Sequence, residues 1–206
     1  MNRSPPTATP AEPPRWRLSI RLLHWAMAAL LAFLVAIGLA MTWLHTDLGT
    51  SFWLYQQHKS WGLVVLPLVA LRLSERLRGA PPWPASIGRW ERVSATAVRA
   101  LLYALMVALP VTGWLTASSS PLSMPTRPFG WFTLPPLIAP DAATFAVLQA
   151  AHAWLAWVLV AATLVHVAGA LKHWLVDRDG TMNRIGLGPK QLSIVVFIPA
   201  RRERDP

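Results

Sequence analysis

The sequence predicts an all-α fold: an integral membrane four-helix bundle with both termini in the cytoplasm. Three observations carry this. Of 206 residues, 54% are hydrophobic and 14% are charged, against about 25% charged in an ordinary soluble domain. The apolar residues gather in four runs, each long enough to cross a hydrocarbon core of about 30 Å. The connections between the runs alternate between basic and nearly uncharged, the pattern the positive-inside rule gives a chain that crosses four times.

Taken in order, Met1–Pro14 holds five prolines among Ser, Thr and Ala. With the next two residues it reads as a disordered Pro-rich tail, 1–16. It lacks the charged, apolar and small-residue order of a secretory signal. The bundle itself is assigned to 17–188, and 189–206 to a basic cytoplasmic tail. Arg15, Arg17 and Arg21 precede the first run, roughly Leu22 to Leu44, with His24 near its start. The second run, about Phe52 to Leu73, carries His58 near its start and Lys59 beside it, and ends in Arg72, Arg76 and Arg78. The third, about Ser94 to Ala117, has Arg99 near its entry and Pro110 inside, which a membrane helix tolerates where neighbours satisfy the freed carbonyl. The fourth, Ala151 to Asp179, reads as one long helix with His152, His166 and His173 on it. Trp16, Trp43, Trp53, Trp114 and Trp174 lie near run ends, as in an interfacial belt.

The net charge of +10 does not indicate nucleic acid, because the basic residues sit at the ends of the apolar runs. Cysteine is absent, which removes disulfides, thiolate metal sites, iron–sulfur ligation and CxxCH haem attachment. Histidine is then the soft ligand left. His152 and His166 are fourteen residues apart; at about 100° per residue they share a stripe, separated by about 21 Å of rise. His173 follows seven residues later on the same stripe, about 10 Å farther.

Topology turns position into depth. His24 and His166 fall near the cytoplasmic side, His58 and His152 near the outer side. Four histidines thus sort into two facing pairs, the arrangement for two bis-histidine b-type haems, an inner one on His24 and His166 and an outer one on His58 and His152. A single intramembrane histidine is as often an interhelical hydrogen-bonding residue; four in two depth-matched pairs favour ligation. Zinc would want three or four ligands converging at one depth, carboxylates among them, and the apolar runs hold almost none.

Two readings stand for His173: an interfacial residue snorkelling beside Lys172 and Trp174, or a hydrogen-bond donor to a quinone near the inner haem. Arg72, fourteen residues after His58, is either a positive-inside flanking residue or a partner for haem propionates, and both can hold. His45 reads as a solvated loop residue. Gly38, Gly62, Gly113 and Gly169 permit close packing of helices or of a porphyrin.

RLLHWAMA around His24, HKSWGLVVLPLVALRL from His58, LLYALMVALPVTGWL, FGWFTLPPLIAPD and HVAGALKHWLVDRDG from His166 carry a resemblance to the bacterial cytochrome b561 family of di-haem, four-helix membrane proteins. It covers roughly Arg17 to Gly188. The resemblance implies that His24, His58, His152 and His166 are axial ligands; Arg72, Lys172 and His173 are further cofactor-binding candidates read from their positions. Just before the LLY segment, where the family often has histidine, this chain has Arg99. The resemblance further implies a bacterial inner-membrane protein that oxidises superoxide at the outer face and reduces ubiquinone. A related group serves instead as the haem subunit of hydrogenases or dehydrogenases. No flavin motif or dinucleotide loop is present, so a two-electron donor would be a partner. A cofactor-free structural membrane protein is the third reading.

Overall fold

The computed structural model describes residues 14–44, 46–83 and 87–186. His45 and all of the assigned tails except Pro14–Trp16 lie outside the described residues. Among the described residues the chain is all-α, with four long helices: α1 Leu18–Trp43, α2 Leu48–Leu77, α3 Arg89–Ser119 and α4 Ala142–Lys172. A π-helical turn, His173–Asp177, continues α4, and a short α5, Thr181–Ile185, follows. Among the described residues α1, α3 and α4 with its extension are long and apolar enough to cross a membrane. α2 is equally long, but Gln56, Gln57, Lys59, Arg72, Glu75 and Arg76 make it less apolar.

Local chemistry sets the ends. Asp47 caps α2, its carboxylate accepting from the Thr50 amide at 2.9 Å, and Asp141 caps α4 through the Thr144 amide at 2.7 Å. Both carboxyls lie outside the helices and are held below their ordinary pKa, first by these threonines. α4 therefore begins nine residues before the expected Ala151, because Asp141 follows a proline and opens a Thr-containing first turn. It also stops short of the expected Asp179. Arg178 takes a left-handed conformation with φ 50°, and Gly180 another with φ 74°, so the backbone leaves the helix there.

The apolar core lies in the middle of the bundle. Met27, Leu34, Val65, Val69 and Met106 join α1, α2 and α3. Leu105, Leu159 and Ala162 join α3 to α4. α4 packs along α3, α1 along α2, and α2 along α3, whereas α4 barely approaches the backbones of α1 and α2. A gap between backbones therefore separates α4 from α1 and α2, bridged by side chains where Leu31 of α1 packs against the cluster of Leu105, Leu159 and Ala162.

At one end the loop from Ser120 to Asp141 folds back as a cap. Leu134 and Thr126 form an antiparallel bridge, and Trp114 Nε1 donates to the Pro135 carbonyl at 3.2 Å. The Phe129 amide donates at 3.0 Å to the hydroxyl of Ser60, which is 2% exposed on α2. The opposite end is knitted by α5. Arg184, 6% exposed, donates to the carbonyls of Pro14 at 3.1 Å and Pro82 at 2.7 Å. Trp16 returns a backbone bond to the Arg184 carbonyl, Trp25 Nε1 donates to the Ile185 carbonyl at 3.1 Å, and Arg21 donates to the Gly186 carbonyl.

Candidate functional site

Four of the histidines singled out from the sequence meet in the gap, in two pairs. The rings of His24 on α1 and His166 on α4 have centroids 6.2 Å apart, with planes inclined at 61°. Those of His58 on α2 and His152 on α4 are 6.1 Å apart and inclined at 79°. His152 and His166 lie about 21 Å apart along α4, and Leu159 and Ala162 fill the interval between them. Each pair spans the gap where the helix backbones stand apart.

Glycine makes room for the upper pair. A Cβ on Gly113 of α3 would stand 3.2 Å from His152 Cε1 and 3.6 Å from its Nδ1. A Cβ on Gly38 of α1 would stand 3.5 Å from His58 Cε1. Gly62 and Gly169, also expected to serve close packing, have nothing within 4 Å of such a carbon. Gly62 instead borders a cavity of about 70 Å³ that it shares with His58, Lys59, Gly113, Trp114 and Thr126.

Hydrogen bonding assigns the ring nitrogens. Thr112 Oγ1 lies 2.8 Å from the Ala108 carbonyl and 3.0 Å from that of Leu109, so its one proton is spent on the backbone. It is then an acceptor for His152 Nδ1–H at 3.0 Å, which leaves His152 Nε2 without a proton. His58 Nδ1 is buried, with the Leu34 backbone of α1 beside the ring. His24 differs: Arg72, a donor only, donates to its Nδ1 at 2.7 Å, so its own proton sits on Nε2. Sequence reasoning placed Arg72 at this depth but did not foresee Thr112.

The remaining candidates gather past the lower pair. His173 Nδ1 lies 2.8 Å from Asp179 Oδ2 and 3.1 Å from Asp177 Oδ2. These three side chains bring one ligand atom each within 4.8 Å, a His–Asp cluster able to hold a metal ion. Lys172 competes for it, donating to Asp177 at 2.7 Å and to Glu91 of α3 at 2.6 Å. Burial pushes the Asp179 carboxyl up, but the Thr181 amide and hydroxyl and His173 outweigh it and hold the carboxyl below its ordinary range. The two aspartates escaped the sequence reading because VDRD looks like a solvated helix end. The signal was there in DxDG-like spacing around Gly180, which bends the chain back on His173.

Comparison with known proteins bears on this arrangement. Residues 15–188 match the family described as prokaryotic cytochrome b561. The chain is 32% identical over 176 residues to "Cytochrome b561 homolog 2" of Escherichia coli strain K12, covering 84% of this chain and 92% of that protein. It is 26% identical over 171 residues to "Cytochrome b561 homolog 1" of the same organism, covering 79% and 92%.

Proposed function

Because the chain belongs to the prokaryotic cytochrome b561 family, a family of electron-transfer proteins of the bacterial membrane, we propose that it carries electrons across the inner membrane through two b-type haems. The observation that carries this reading is the pair of facing imidazoles at each of two depths. The centroid separations of 6.1 and 6.2 Å leave room between the rings for one iron that both imidazoles of a pair would hold. The stand-off of α4 and the glycines against His58 and His152 fit a flat group between the helices.

When bound, a haem held on both faces by histidine supplies a one-electron couple with no open coordination position. The chain's own residues do the rest. His24 and His166 would hold the inner haem, His58 and His152 the outer, and Thr112 fixes the tautomer of His152. For His24 to bind through Nε2, its proton must move to Nδ1, which displaces the Arg72 donor.

All four long helices cross the bilayer in this reading. α2 does so because only residues 44–47 separate it from α1, along which it packs; so short a connection forces an antiparallel return. Arg72, Arg76, Arg78, Arg89, Arg92, Lys172 and Arg184 gather at the His24–His166 end, which by the positive-inside rule supports a cytoplasmic side for that end and for both termini.

The substrate reading is superoxide at the outer face and ubiquinone as acceptor. Two superoxides yield two dioxygens and two electrons, and ubiquinone takes those electrons with two protons. His173, whose Nδ1 lies 2.8 Å from Asp179 Oδ2, would serve through Nε2, with Lys172 beside it, as a proton and hydrogen-bond partner for quinone near the inner haem. The second reading is a cytochrome b subunit relaying electrons from a dehydrogenase or hydrogenase. It is favoured by the apolar outer loop, where Leu122, Trp131 and Phe132 are 74%, 80% and 54% exposed.

The test is haem content and reduction of the purified chain. Pyridine haemochrome analysis is expected to give two haems b, reducible by a superoxide generator and reoxidised by ubiquinone. Fewer than one haem per chain sinks electron transfer. Two haems that superoxide leaves oxidised, in a chain that co-purifies with a catalytic subunit, establish the second reading instead.

A further inference from the structure

Near the inner histidine pair three guanidinium groups lie close enough to act on one another. Arg72 and Arg76 lie one turn apart on α2, and Arg99 reaches in from α3. The Arg76 charge acts on both of the others, and Arg72 and Arg99 both act on His166. Among the described residues no carboxylate pairs with any of the three. The two nearest in sequence are committed elsewhere: Glu75 to Ser19 at 2.6 Å and to Arg78, and Glu91 to Lys172 at 2.6 Å and the Gly88 amide at 3.2 Å.

Half-buried like charges that repel one another are costly unless an anion joins them. Aromatic rings hold two of the three in place. The Arg99 guanidinium lies over the Trp83 ring at 4.9 Å, and that of Arg72 over Tyr103 at 5.9 Å. An aromatic ring takes up none of a guanidinium's N–H groups, which remain for a carboxylate to meet bidentately. Arg99 spends few of its N–H groups on protein, its one side-chain hydrogen bond among the described residues being a 3.5 Å contact to the Ala95 carbonyl. Arg72 has its alternative ready: loading His24 through Nε2 evicts it from His24 Nδ1.

We propose that Arg99 and Arg72, with Arg76 behind them, form a two-armed carboxylate site that clamps both propionates of the inner haem. Arg99 is the fixed arm, set on Trp83, and Arg72 the arm that swings from His24 as the haem enters. This rests on the two-haem reading, and it gives Arg99 a positioning role that the helix-end charge pattern alone does not require.

The test compares haem b with its dimethyl ester, which keeps the ring and iron but lacks both carboxylates. The full chain, stripped of haem in detergent and carrying His58→Ala so that only the inner pair can load, is titrated with each. Haem b is expected to bind about tenfold or more tighter than the ester. Arg99→Gln should reduce that ratio by at least about fivefold and Arg99→Lys by less. The inner haem's midpoint potential should rise on esterification in the parent and change less in Arg99→Gln. Discrimination that is the same in Arg99→Gln as in the parent overturns the proposal. So does loss of co-purifying anionic phospholipid in Arg99→Gln with discrimination intact, which assigns the site to a lipid phosphate. A bis-histidine spectrum with neither compound is a different result, the failure of the haem reading itself. Arg89→Gln, exposed at the start of α3, controls for loss of charge, and circular dichroism of each variant for loss of fold.

Discussion

Replacing Gly113 by alanine tests the closest approach in the site. An added methyl would lie 3.2 Å from His152 Cε1, inside ordinary van der Waals contact, so the ring must give by a few tenths of an ångström. It has little freedom to do so, because Nδ1 is tied to Thr112 at 3.0 Å and Thr112 is itself bonded to its own helix. The helix gains about 1 kcal/mol from exchanging glycine for alanine, while overpacking costs about 1–3 kcal/mol. Gly169→Ala supplies the reference, since its methyl meets nothing within 4 Å and the propensity gain stands alone. Gly113→Ala should therefore be less stable than Gly169→Ala by about 1–3 kcal/mol, with Gly38→Ala nearer to Gly169→Ala because its contact is an ordinary 3.5 Å. The assay is thermal unfolding in one detergent followed by circular dichroism, paired with the spectrum of the outer haem. Equal stabilisation by all three alanines, with an unchanged spectrum, would refute the reasoning that glycine is there for the imidazole.

Other perturbations have equally definite outcomes. His24→Ala or His166→Ala should remove the inner haem's absorbance and leave the outer, and His58→Ala or His152→Ala the reverse; loss in a crossed pattern contradicts the pairing. Arg184→Ala removes two charge-assisted bonds from a buried site and should cost about 2–4 kcal/mol, with new proteolysis near Pro14 and Pro82 as the readout. Ser60→Ala leaves the Phe129 amide without its acceptor and should cost about 1–3 kcal/mol, seen as faster hydrogen exchange at Phe129. The Asp179 carboxyl, lowered in the folded chain, contributes stability that is complete above its unfolded pKa of about 3.9 and is lost as pH falls through the lower folded value. Protection of the Thr181 amide should accordingly persist from pH 7 to below pH 4, and opening already at pH 5.5 would contradict it.

The long helices were legible because hydrophobic runs report burial in lipid or protein without regard to partners. The fourteen-residue interval between His152 and His166 was legible for a similar reason, since it follows from helix geometry alone. The beginning of α4 was not, because Ala142–Ala150 is apolar in continuity with a Pro-rich loop, and only the Asp141 carboxylate on the Thr144 amide marks the start. The end was misread because a left-handed Arg178 has no signature beyond the Gly180 that follows. Thr112 and Arg184 were invisible as site or clasp residues, since each acts across the fold on a partner that sequence does not bring near: His152 at forty residues' remove and Pro14 at 170. The stand-off of α4 is likewise a property of packing, and no run of residues announces it.

That α4 bears one histidine of each pair gives it the character of a ruler. α1 and α2 carry their histidines on separate rods, and residues 44–47 between them leave each free to settle in its own register. The spacing of His152 and His166 belongs to a single rod and admits no such adjustment. Lengthening the α1–α2 connection by one residue changes the reach of a loop. One residue inserted between His152 and His166 turns one imidazole about 100° away from its mate. Tolerance to insertion should therefore be sharply uneven along this chain, and the calibrated interval is the fourteen residues of α4.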